Sequence, residues 1–132
     1  MKRFYKLTII LFFAMMSSNA QTIKSNFEGS YSVYVETDET TTGTASITYL
    51  FKIKKDNATL ITTTYHEPIR CNGNYKTVEK DNVLTLFYNG KEDHCKSVKP
   101  TFMIKKQGKT YFIRGTGGEA TYNTWVKLKK EG

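Results

Sequence analysis

Polar and apolar side chains alternate with a period of two in several segments of this chain, and no window repeats convincingly at the 3.6 residues of a helix. Ile47, Tyr49, Phe51 and Ile53 share one side of a segment, opposite Thr48, Lys52 and Lys54. Tyr31, Val33 and Val35 oppose Ser30, Ser32 and Glu36, and Tyr122, Thr124, Val126 and Leu128 oppose Asn123, Lys127 and Lys129. That spacing belongs to strands with one face buried. Threonines crowd positions 40–42 and 62–64, where β-branching favours extended backbone over helix. The pattern predicts eight strands, over 27–36, 45–54, 58–65, 71–78, 83–89, 101–106, 110–114 and 121–129. Pro68 and Pro100 both fall between them, where no ladder hydrogen bond is lost.

Three predicted connections, at 55–57, 79–82 and 107–109, are short and carry the Asp, Asn and Gly of hairpin turns. Four others, at 37–44, 66–70, 90–100 and 115–120, are longer. An up-and-down antiparallel meander sends alternate connections to opposite ends, so the tight turns share one end and the long loops the other. Closing the meander into a small barrel removes the exposed edges; an open sheet or a sandwich of the same strands is the alternative. Tyr31, Tyr49, Phe51, Phe87, Phe102 and Tyr122 are expected to fill the interior, which argues against a carrier of a small apolar ligand.

The same division sorts the charges. Lys54, Lys55, Lys80, Lys105, Lys106, Lys109, Lys127 and Lys129 go to the tight-turn end, a basic pole. Such a pole either attracts an anionic surface, lipid or glycan, or keeps strand edges soluble and unpaired. The long-loop rim is mildly acidic and gathers Asp38, Glu39, His66, Glu67, Arg70, Glu92, Asp93 and His94 as a candidate binding surface, since loops on a rigid scaffold commonly carry function. No nucleic acid partner is expected: beyond the leader described next, the cations are lysines except for Arg70 and Arg114.

Residues 1–20 read as a cleaved secretory signal peptide. Met1-Lys2-Arg3 is basic, Leu7 to Met16 is apolar except for Thr8, and Ser18-Asn19-Ala20 sets small residues before a cut at Gln21. The apolar run is too short to span a bilayer, which takes about 20 residues. No second long apolar run follows, so a periplasmic or secreted single domain over 21–132, without a transmembrane segment, is expected. Lys2, Arg3 and Lys6 leave with the leader, so 20 basic residues become 17 against 12 acidic, a net charge of +5. Cys71 and Cys95 are an even pair in an exporting compartment, where a disulfide is the natural reading. With His66 and His94 they also raise zinc, but the spacing does not match a structural zinc site. No metal, cofactor or catalytic residue is assigned, because no Walker loop, G-x-S-x-G, H-E-x-x-H or dinucleotide fingerprint occurs.

Phe27-Glu28-Gly29-Ser30-Tyr31 resembles the aromatic-x-Gly-x-aromatic opening of lipocalin-like and avidin-like barrels, with Tyr31 where Trp is usual. The resemblance implies a lipocalin-like or avidin-like closure in which the glycine lets an aromatic ring seal one end. The pattern over 21–132 is similar to a family of small exported bacterial domains of unknown function, with a Gly-x-Tyr first strand ahead of one cysteine pair. That likeness implies a fold and no activity. Periplasmic inhibitors of c-type lysozyme are another class of small exported β-barrels; their Ser-Gly-x-x-Tyr signature is met here by Gly108-Lys109-Thr110-Tyr111, with Gln107 in the serine's place. The expected function is therefore a non-enzymatic binding module working through the rim to a protein partner. The alternative is an inhibitor or immunity protein against a cell-wall hydrolase or toxin.

Overall fold

A computed structural model describes residues 25–116 and 123–132. The eight strands are β1 (Gly29–Thr40), β2 (Gly43–Lys54), β3 (Asn57–Tyr65), β4 (Gly73–Lys80), β5 (Val83–Tyr88), β6 (Phe102–Gln107), β7 (Thr110–Gly115) and β8 (Val126–Glu131), with one 3-10 turn at Asp93–Cys95. Each pairs antiparallel with its neighbour in sequence, and β1 pairs with β8 through Ser30↔Glu131, Tyr31↔Lys130 and Ser32↔Lys129. The expected closed meander is therefore the observed one. The expected leader at 1–20 and the interior position of Tyr122 lie outside the described residues.

Three hairpins at one end, the base, turn on two residues each. Between Lys80 and Val83 the chain turns on Asp81 (φ 52) and Asn82 (φ 63), both left-handed as a type I′ turn requires. Lys55-Asp56 joins β2 to β3 and Gly108-Lys109 joins β6 to β7. Hydrogen bonds knit these turns together. Thr77 N–H donates to the Asp56 carbonyl at 3.0 Å, and Asn82 Nδ2 to the Lys106 carbonyl at 2.9 Å.

The opposite end departs from expectation at 37–44. No long loop lies there; β1 and β2 continue to a two-residue turn at Thr41-Thr42, so Asp38 and Glu39 belong to a strand. Between the pairs Glu36↔Ser46 and Glu39↔Thr44, β1 uses three steps against two on β2, a bulge that accommodates the polar extension. Strand β4 starts at Gly73 rather than at 71, because Cys71 is left-handed (φ 55) and cannot continue a ladder. Strand β8 starts at Val126 rather than at 121.

The interior is aromatic. Phe102 lies 5.7 Å from Tyr49, 5.2 Å from Phe51 and 5.9 Å from Tyr75, ring centre to ring centre. Phe87 is not among these rings. In β5 the buried residues are Leu84, Leu86 and Tyr88, so Phe87 takes the outward phase. At the base, the 25–28 segment folds under the barrel, with Phe27 fully buried and 6.1 Å from Tyr111. The Tyr111 hydroxyl donates to the Asn26 carbonyl at 3.0 Å, which fixes that plug. Each such buried side chain contributes about 1.5–3 kcal/mol.

Candidate functional site

The rim is built around the Cys71–Cys95 disulfide, whose Cα atoms are 5.6 Å apart. The bridge ties the β3–β4 loop to the β5–β6 loop. Tyr88, buried at the end of β5, ties them a second time. Its hydroxyl donates to the Asn72 carbonyl at 3.2 Å and accepts the Glu92 N–H at 3.1 Å. Gly90 passes so close that an added Cβ would stand 2.3 Å from the Tyr88 hydroxyl oxygen, so the loop needs a residue without a side chain there. The 3-10 turn follows, with Cys95 N–H donating to the Glu92 carbonyl at 3.0 Å and Lys96 Nζ 2.9 Å from Asp93. That lysine, by hydrogen bond first and by charge second, holds the Asp93 carboxyl below its ordinary value.

The predicted rim residues divide into two groups. His66 is left-handed (φ 56), rests edge-on against Tyr65 at 4.0 Å and shares a 3.0 Å hydrogen bond with Thr42 Oγ1. Glu67 accepts a hydrogen bond from Thr37 Oγ1, which links the β3–β4 loop to β1. These two contact the β1–β2 hairpin, which carries Glu39 on β1, and Arg70 is exposed further along the β3–β4 loop. Glu92, Asp93 and His94 belong to the other loop. His94 comes within 4.8 Å of both cysteine sulfurs, but the sulfurs are committed to the bridge, leaving His94 the one free donor of the three. His66 is not in that cluster. Asp38 lies on β1 at the bulge.

Sequence reasoning missed the apolar side chains that stand out from these loops. Val98 in the β5–β6 loop is 95% exposed, and Ile69 in the β3–β4 loop is 54% exposed. Tyr65, at the end of β3, is about half exposed and donates to the Thr42 carbonyl at 3.2 Å. The signal was present in the sequence, since Ile69 and Val98 interrupt loops that are otherwise polar.

The base holds Lys54, Lys55, Lys80 and Lys109 exposed at or beside the hairpin turns, and Lys127 and Lys129 on β8. Lys106 is drawn over the Tyr111 ring at 5.5 Å, and Lys130 over Tyr31 and Tyr111 at 5.8 and 5.5 Å. Gly29 has φ 142, and a Cβ there would stand 3.2 Å from Lys130 Cε, so the glycine makes room for the lysine that caps the barrel. The Tyr31 hydroxyl beneath is buried without a hydrogen-bond partner. Burial is the first cause that pushes its phenol well above the usual range.

Lys105 precedes Lys106 on β6 and pairs with Val83 beside the Asp81-Asn82 turn. It points outward from β6, 5.7 Å over Phe112 and 4.3 Å over Trp125. Among the described residues no helix is long and apolar enough to cross a membrane. No protein-family model, no curated protein and no solved structure matches the chain. The functional reading therefore rests on geometry.

Proposed function

We propose that this chain is a non-enzymatic binding module that presents its disulfide-tethered rim to a protein partner. The observation that carries the reading is an apolar side chain held out by a braced loop: Val98, 95% exposed, on the segment pinned by Cys95 and by Tyr88. A loop ordered before contact loses little freedom on binding, which favours affinity. Ile69 on the other tethered loop supplies a second apolar contact, and the same two loops carry Arg70, Glu92, Asp93 and His94. Apolar anchors within a polar border are the usual composition of a protein–protein contact. The disulfide favours work in an oxidising compartment, in keeping with the export expected from residues 1–20.

Affinity capture from periplasmic extract with the oxidised protein tests the proposal. A bound protein lost with Ile69→Ser plus Val98→Ser, but kept with Lys80→Gln plus Lys109→Gln, supports the rim. The reverse pattern moves the contact to the basic pole. Inhibition assays on cell-wall hydrolases, run with the same variants, decide whether that contact blocks an enzyme.

A further inference from the structure

Outside the rim, the outer wall of β6, β7 and β8 carries a constellation that the proposed function leaves unused. One cross-strand row runs Val83, Lys105, Phe112, Lys127. The next runs Thr85, Met103, Arg114, with Trp125 at its end. Trp125 is the single tryptophan of the chain. Two cations approach its ring: Lys105 Nζ at 4.3 Å and Arg114 Cζ at 4.9 Å from the centre. Arg114 Nη2 also rests 3.3 Å from Met103 Sδ. Neither row contains an acid, and among the described residues the ion pairs are Lys96–Asp93 and Lys129–Glu131, so Lys105, Arg114 and Lys127 have no anionic partner among the described residues. Lys127 also borders an open cleft of about 510 Å³ at the lower junction of β7 and β8, lined with Lys109, Tyr111, Lys129 and Lys130.

We infer that this wall binds an acidic polysaccharide, its carboxylates paired with Lys105, Arg114, Lys127 and the cleft lysines, and its sugar rings against Trp125 and Phe112. Uncompensated cations recurring along a wall fit a ligand whose charges also recur. Phe112 and Trp125 are only half-buried, so each keeps some apolar surface for the face of a sugar without having to insert. The wall suits a bilayer less well. Phe112 and Trp125 are half-buried beneath cations rather than protruding, and the exposed large apolar side chains Tyr34, Ile61, Tyr65, Ile69, Val78 and Val98 all lie on other strands or loops. Insertion into lipid needs apolar groups that stand proud of the surface.

Trp125 reports on the site directly. Titration of the oxidised protein with a galacturonic acid hexamer is expected to give a saturable change in tryptophan fluorescence. The apparent affinity should fall at least tenfold in Lys105→Gln plus Arg114→Gln, with unchanged far-ultraviolet circular dichroism and urea midpoint. An uncharged galactose hexamer should give no response. No saturable change with the acidic hexamer, an equal change with the neutral one, or full binding by the double variant overturns the inference. So does a stronger response to phosphatidylglycerol vesicles, which assigns the wall to lipid. Ile69→Ser plus Val98→Ser leaves this titration unchanged, so failure at the rim and failure at the wall are read separately.

Discussion

The two ends of this barrel are ordered by different physics. At the rim, covalent and directed bonds do the work: a disulfide, the Tyr88 hydroxyl between two loops, and a 3-10 turn. Those constraints leave apolar Val98 and Ile69 facing water. At the base and lower wall the order comes from packing, with rings plugging the barrel and lysines lying over their faces. There the apolar surface is covered and the charge is left over. A scaffold of one sheet thus offers two chemically distinct surfaces, one suited to an apolar protein contact and one to anions.

The comparison breaks most sharply if the disulfide is removed. Cys71→Ser plus Cys95→Ser opens a closed loop spanning a sequence separation of 24. Chain entropy puts the expected loss at about 3 kcal/mol, measured by urea unfolding. Trp125 fluorescence in native buffer should stay as it was, because the wall does not depend on the bridge. A shifted spectrum there would show that the two ends are not independent. Tyr88→Phe is a gentler cut in the same place. It removes an acceptor for Glu92 N–H and a donor to Asn72, at a cost of about 2 kcal/mol. Amide exchange should quicken across 89–101 and hold steady in β7 and β8.

Tyr31→Phe probes the base with the opposite sign. Deleting a buried hydroxyl that has no partner removes a desolvation cost and leaves the ring under Lys130 in place. The variant should unfold at equal or slightly higher urea, a gain of at most about 1 kcal/mol. A loss would mean that the hydroxyl has a role that the packing does not reveal.

What was readable in the sequence follows the same divide. Alternation located all eight strands, and the Asp81-Asn82 pair marked its hairpin, because period and turn chemistry are local properties. The β1–β2 turn was not readable. Thr37 to Thr42 is polar throughout, and only the bulge and pairing with β2 make Asp38 and Glu39 part of a strand. Phe87 was misplaced because β5 is apolar in both phases, so the choice between Leu84-Leu86-Tyr88 and Val83-Phe87 falls to the core they pack against. The Trp125 cluster draws on β6, β7 and the residue just ahead of β8. The meeting of Lys105, Arg114 and Trp125 depends on register between neighbours, which no single segment carries.

The smallest effect separates the ends by salt. Asp93 at the rim is exposed and Glu131 at the base is partly buried, and both are held below their ordinary values of 3.8 and 4.5. A carboxyl with a lowered folded-state pKa adds stability above its unfolded value and loses it as the pH falls through the folded one, so both contributions fade below about pH 4.5. The causes differ. Asp93 depends on Lys96, an exposed ion pair that ions screen. Glu131 depends first on a hydrogen bond from Ser32 across the β1–β8 seam, with Lys129 a lesser influence at 3.6 Å. Carboxyl titrations followed by NMR in low salt and in 1 M KCl should therefore return Asp93 toward its ordinary value and leave Glu131 low. Equal recovery of both would reduce the Ser32 bond to a bystander, and the seam that closes the barrel would then be held at this point by charge rather than by a directed bond.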